Sequence, residues 1–432
     1  MRHIILKCTG LLVFLLTANQ VFARTNHLYE LYLKRDFVSL EYQLKDKRLN
    51  KENKDTYEVF NAMLLNAYGK STEAGQILQE AGESLKNDTL SYLALKTLNI
   101  IAFNNFNYSE ASKSGKILLD KYKEMYSPQE YQEFSQNVKI ATILHDSPAQ
   151  QTIKTANTTI DLHKDTVGLL NIPVSVAGKT LSLIFDSGAG MSVISESVAK
   201  MLNLNIVSDS TVEIGGSTGT YIDAKLAIAN NIQIGNISVS NVAFLVFPDR
   251  ALSFGDGSYK MDGIIGFPVI KEFGSLTLTR QNQLFVPNEI KKERVKPNMM
   301  LDELQPILIL SYNSNNNDTK LPFTFDTGAN KTTISENFYQ RFPYDVKTNG
   351  KENTRTFEGV GGKKEFEGFD IKELTFKAGR QPLKLKNIFV FREPFIANGD
   401  SYYGNIGQDV IKQFESITIN FKDSFIKFGK PI

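Results

Sequence analysis

The chain has 432 residues, 41% of them hydrophobic, a single cysteine, no tryptophan and a formal net charge of +2. That length allows two or three domains with enough apolar surface for true cores, and the near-balanced charge offers no global field for nucleic acid. One cysteine excludes a disulfide framework, and His3, His27, His145 and His163 are too scattered to ligate a catalytic zinc, so no metal is expected.

Taken in chain order, Arg2 and Lys7 precede the apolar run Leu11 to Leu16, and Val21-Phe22-Ala23 follows with a small-residue end. Residues 1–23 therefore read as a secretory signal peptide cleaved after Ala23, the apolar stretch being too short to span a membrane. The cysteine, Cys8, would leave with it, and Lys plus Arg would fall to 47 against 47 Asp plus Glu. A disulfide-free exported protein fits the periplasm or exterior of a Gram-negative bacterium.

Residues 24–147 carry few Gly or Pro, and apolar residues recur at intervals of three and four, as in Tyr57, Phe60, Met63, Leu64 and Ala67, or Leu90, Leu93, Leu95, Leu98 and Ile101. That period predicts amphipathic helices. Phe37, Ala74 and Ala111 recur at 37-residue spacing after polar turns, so the segment resembles tetratricopeptide-like helix pairs, whose concave face would serve as a docking surface for a protein partner. Residues 148–164 are polar and aperiodic and read as a linker.

From residue 165 one pattern occurs twice. Phe185-Asp186-Ser187-Gly188-Ala189 returns 140 positions later as Phe325-Asp326-Thr327-Gly328-Ala329. One Asp-Thr-Gly alone is common turn chemistry, but here each copy follows a period-two strand, Leu181/Leu183/Phe185 and Leu321/Phe323/Phe325. Downstream, Asp262-Gly-Ile-Ile-Gly266 is answered by Tyr403-Gly-Asn-Ile-Gly407, whose closing glycines lie 80 and 81 residues after the respective Asp. Two anchors at nearly constant spacing predict a duplicated β unit: one lobe at 165–290, a basic interlobe connector at 291–303 and a second lobe at 304–432. If the lobes pack about a pseudo-two-fold axis, Asp186 and Asp326 meet there and share one proton, because like charges so close cannot both ionise. Ser187, Gly188, Thr327 and Gly328 would support the two loops, the glycines by letting backbone approach the carboxylates. Gly-rich turns at Glu213 to Gly219 and Glu358 to Gly362 are flap candidates, with Gly215, Gly216, Gly361 and Gly362 at their tips. Gly215 to Gly219 also spells Gly-x-Ser-x-Gly around Ser217, but the strand-like Thr220 to Ile228 follows it where a nucleophile elbow needs a helix.

These paired Asp-Ser/Thr-Gly-Ala loops, glycine-bearing hairpins and late apolar-apolar-Gly elements resemble aspartic peptidases, and retropepsin-like ones more than pepsin-like ones because Ala189 and Ala329 follow the glycines. The resemblance covers roughly 60% of the chain. It implies a multidomain α+β protein, with an N-terminal α-helical repeat-like domain followed by an all-β bilobal pepsin/retropepsin-like acid-protease fold. It further implies an aspartic endopeptidase acting on protein or peptide substrates through Asp186 and Asp326, with no cofactor, and active as a monomer because both lobes lie in one chain. Two other readings stand beside it: an inactive bilobal module that binds a peptide or cell-envelope ligand, and a helical adaptor whose peptidase part is secondary.

Overall fold

The computed structural model describes residues 25–46, 49, 53–82, 85–216, 220–255, 257–360, 362–379, 381–394 and 402–432. The leader expected at 1–23, and the tip residues Ser217 and Gly361, lie outside the described residues. Two compact units part between Leu98 and Asn99, inside helix Asp88–Asn104.

The first unit is helical, with helices at 25–33, Phe37–Leu44, Lys54–Ala67 and Ser71–Gly82 before the start of Asp88–Asn104. Side-chain caps fix where two of them begin: Asp36 accepts from the Ser39 amide at 3.0 Å and Asn53 from the Thr56 amide at 3.2 Å. Each such cap is worth about 1 kcal/mol. Phe60, Met63, Leu64 and Ala67 are buried, as their spacing predicts, with Tyr57 half-buried beside them. Phe37, Ala74 and Ala111 each fall within the first four residues of a helix.

The second unit begins with helices Tyr108–Lys121 and Pro128–Ile143, the latter opened by a reciprocal capping box between Ser127 and Glu130. Phe106, Tyr108, Ile140 and Leu144 do not form a separate helical core. They share one apolar cluster with Ile184, Val212, Ile222 and Phe247 of the β region. The boundary expected at 147 is thus not where the compact units divide, because periodicity reveals an apolar stripe without revealing what covers it. The segment 148–164, expected as a linker, is also built into sheets as strands Gln151–Lys154, Thr158–Asp161 and His163–Lys164. Its polar composition hides an alternation in which Thr158 and Ile160 are buried.

Among the described residues, three large sheets and one two-stranded ribbon, Ser253–Phe254 with Tyr259–Lys260, make up the β region. In the first, the order runs Gln151–Lys154, Ile237–Phe247, Ser192–Ser195, Gly263–Ile265, Lys179–Phe185, Leu170–Val176, Tyr221–Ile234, Asn205–Gly215. The second runs Met299–Asp302, Gln305–Ser314, Asn317–Phe325, Gly404–Ile406, Thr333–Ile334, Gln381–Phe391, Gly362–Ala378, Gly350–Gly359. Residues 291–298 are irregular, and Met299–Asp302 is strand, with Met299 and Met300 buried.

The sequence duplication is matched in the pairing register. Ile184 and Phe185 pair in parallel with Ile264 and Ile265, as Thr324 and Phe325 do with Asn405 and Ile406. Ile264 then pairs with Val193 as Asn405 does with Thr333. The third sheet draws strands from both halves, in the order Thr158–Asp161, Gln283–Val286, Ser275–Thr279, Ser416–Asn420, Phe425–Phe428. At its centre Thr277 pairs with Thr418, its own counterpart in the other half, and their hydroxyls stand 2.9 Å apart. An approximate two-fold axis therefore runs through this pair. Phe185, Phe267, Phe323, Phe325 and Phe414 are essentially inaccessible in one core cluster spanning both halves, each contributing about 1.5–3 kcal/mol through burial.

Candidate active site

Each Asp stands one residue past the end of a strand that hydrogen bonding holds on both sides. Lys179–Phe185 and Asn317–Phe325 end where the late strands Gly263–Ile265 and Gly404–Ile406 run alongside, and the Asp186 and Asp326 amides donate to the carbonyls of Ile265 and Ile406 at 3.1 and 2.9 Å. The glycine after each late strand closes the same circuit. Gly266 N–H donates to Ser192 Oγ at 3.1 Å and Gly407 N–H to Thr332 Oγ1 at 3.0 Å. The late elements Ile264-Ile265-Gly266 and Asn405-Ile406-Gly407 thus act as the backing of the two Asp loops.

Between the loops lies a reciprocal set of hydrogen bonds. Thr327 Oγ1 accepts from the Ser187 amide at 2.9 Å and donates to the Phe185 carbonyl at 2.8 Å. Ser187 Oγ accepts from the Thr327 amide at 3.1 Å and donates to the Phe325 carbonyl at 2.9 Å. Both hydroxyls are buried, so these bonds satisfy backbone groups that water cannot reach. Each hydroxyl thereby holds the two peptide groups that flank the opposite Asp.

The carboxyls are brought side by side. Within each loop, Oδ1 accepts from two amides: Asp186 from Gly188 at 2.8 Å and Ala189 at 3.1 Å, Asp326 from Gly328 at 2.7 Å and Ala329 at 3.1 Å. Each carboxyl lies against the glycine of the opposite loop, Asp326 at Gly188 and Asp186 at Gly328. Glycine is required at 188 and 328 by close approach: a Cβ at Gly188 would stand 2.6 Å from Asp326 Cγ, and one at Gly328 would run into the Asp186 carboxyl. Asp186 keeps some exposed surface, yet protein atoms crowd its carboxyl. Burial first, and then the neighbouring Asp326 charge and the hydrogen bond between the carboxyls, push Asp186 well above the usual carboxylate range against the pull of its two backbone amides.

Sequence reasoning missed two side chains. Asn405 Nδ2 donates to Asp326 Oδ2 at 2.8 Å, and Gln408 Nε2 donates to the Thr327 carbonyl at 3.0 Å. Both lie in the second late element, where the first half carries Ile264 and Phe267. Setting the two elements position against position, and asking where a polar residue replaces an apolar one, would have found them.

The flap candidates lie on hairpins of the two sheets. Asn205–Gly215 pairs with Tyr221–Ile234, closed by a 2.7 Å bond from Gly216 N–H to the Thr220 carbonyl, and Gly350–Gly359 pairs with Gly362–Ala378. Gly215 and Gly216 stand at the first tip, and Gly362, with φ of 124°, takes a conformation that only glycine adopts easily at the second. Ile214 and Val360 pack against the same apolar cluster. A long strand, not a helix, follows the Gly-x-Ser-x-Gly segment. Among the described residues, no three His, Cys, Asp or Glu side chains gather as a metal site, and no helix is long and apolar enough to cross a membrane.

Residues 172–269 match the aspartyl protease family, a stretch that contains the first Asp loop, the first hairpin and the first late element. The match supports an aspartic peptidase. No curated protein matches the chain.

Proposed function

We propose that the chain is an exported aspartic endopeptidase with a bilobal, retropepsin-like peptidase region, in which Asp186 and Asp326 act as one catalytic dyad. The observation that carries this reading is the meeting of the two carboxyls about the two-fold relation between the halves, each held by two amides and backed by the same hydroxyl grip. Two adjacent carboxyls hold one proton between them. The ionised member takes a proton from a water lying between them as its oxygen attacks the scissile carbonyl carbon. The protonated member hydrogen-bonds the carbonyl oxygen, and a proton delivered to the amide nitrogen lets the carbon–nitrogen bond break. Ala189 and Ala329 lend only backbone amides to the carboxylates, which supports the retropepsin-like assignment. The two hairpins are suited to close over an extended peptide, and the leader-like start supports export. Both halves of the dyad lie in one chain, which makes the monomer the active unit.

The test is cleavage of a peptide library from acidic to neutral pH by the wild type and by Asp186→Asn and Asp326→Asn. Each substitution should remove cleavage by at least 10²–10⁴-fold with near-ultraviolet circular dichroism unchanged. Full activity in either folded variant would refute the dyad.

A further inference from the structure

The two carboxyls are bonded alike on their inner oxygens and differently on their outer ones. Asp326 Oδ2 accepts from Asn405 Nδ2 at 2.8 Å, and the Asn405 amide is oriented by Thr324 Oγ1, which donates to its Oδ1 at 2.6 Å. With its oxygen engaged by that hydroxyl, the amide presents N–H to the carboxylate. Thr324 and Asn405 are a register pair, and the matching pair in the first half is Ile184 with Ile264. Those two isoleucines are 3% and 6% exposed, belong to an apolar cluster and have no hydrogen to donate.

Resting on the aspartic peptidase reading, we infer that the Thr324–Asn405 pair makes the dyad unequal, holding Asp326 as the ionised base and leaving the shared proton on Asp186. A donor aimed at a carboxylate oxygen stabilises the charged form over the neutral one, and such a charge-assisted bond is roughly twice as strong as a neutral one. Among the described residues, Asp326 has three such donors and Asp186 has two. The titratable group facing Asp326 is Asp186. Of the charged residues on the elements that pack around its loop, Asp409 is engaged by the Thr332 amide and hydroxyl and Lys331 is exposed. Asn405 is a positioning residue in this scheme. It sets which carboxyl takes the proton from water and which one donates to the leaving nitrogen, although the halves are otherwise near copies.

Asn405→Ile gives the second half the residue of the first, and Thr324→Val keeps the amide while releasing its orientation. The acidic limb of kcat/KM against pH should move upward in Asn405→Ile by about one pH unit, a tenfold loss of rate on that limb, and in the same direction in Thr324→Val. The pH dependence of urea unfolding should shift with it, a readout that needs no substrate. A limb and an unfolding profile unmoved in folded Asn405→Ile would overturn the inference. If Asn405→Ile does not fold, unmoved profiles in Thr324→Val would do so. Wild-type protein that cleaves nothing would sink the peptidase reading alone, because the unfolding profiles would still report whether Asn405 holds the Asp326 charge.

Discussion

Replacing Thr327 by valine keeps the side-chain shape and removes the one hydroxyl that grips the first Asp loop. Two buried backbone groups then lose their partners: the Ser187 amide, bonded at 2.9 Å, and the Phe185 carbonyl, bonded at 2.8 Å. Each orphaned group costs about 1–3 kcal/mol, so the variant should be destabilised by roughly 2–6 kcal/mol, at the lower end if water enters the space. The same two groups flank Asp186 on either side, so the loss also frees that carboxyl from its place beside Asp326. A displacement of about 1 Å at a reacting group can lower turnover on the order of 10²-fold. Urea unfolding followed by near-ultraviolet circular dichroism, with the slope m held constant between variants, measures the first effect, and kcat/KM on a cleaved peptide the second. Ser187→Ala orphans the other two groups, the Phe325 carbonyl and the Thr327 amide. Because both hydroxyls brace one pair of loops, the double variant should lose less than the sum of the singles, with a coupling of about 0.5–3 kcal/mol. A Thr327→Val protein within about 0.5 kcal/mol of wild type, the range of an ordinary surface change, with kcat/KM intact, would refute the idea that these bonds hold the loops.

Asp186→Asn should be more stable than wild type at neutral pH and lose that advantage in acid. The folded Asp186 binds its proton more firmly than the unfolded chain does. Its contribution is therefore fully present below the unfolded carboxylate value of about 3.9 and is lost as pH rises through the raised folded value. Each unit of that elevation is worth about 1.4 kcal/mol, so urea midpoints of variant and wild type should diverge from about pH 4 upward. A constant gap across that range, or one of opposite sign, would contradict the burial account. Gln136→Ala should loosen the first hairpin, since Gln136 Oε1 accepts from the Glu213 amide at 3.0 Å and ties strand Asn205–Gly215 to helix Pro128–Ile143. That exposed bond is worth about 0.5–1.5 kcal/mol. Hydrogen exchange across 205–215 should speed up several-fold and KM should change more than kcat, whereas unchanged exchange would show that the helix does not brace the strand.

What the sequence determined by itself is the duplication. Spacings of 140, 80 and 81 residues are properties of the chain, and strand alternation at Leu181, Leu183 and Phe185 is a local consequence of side chains pointing to opposite faces. From these alone the two Asp loops, their glycines and their backing elements were legible. Only the tertiary structure decided what depends on partners far apart in sequence. The helices at 108–143 share the core of the first half because Tyr108 and Ile140 meet Ile184 and Phe247, and a helical period cannot name its cover. Strand Gln151–Lys154 is fixed by pairing with Ile237–Ser240 across a separation that composition does not encode. Asn405 becomes a partner of Asp326 only when strand Gly404–Ile406 is laid beside strand Asn317–Phe325. A hydrogen bond needs both its ends in place, and folding brings the second end.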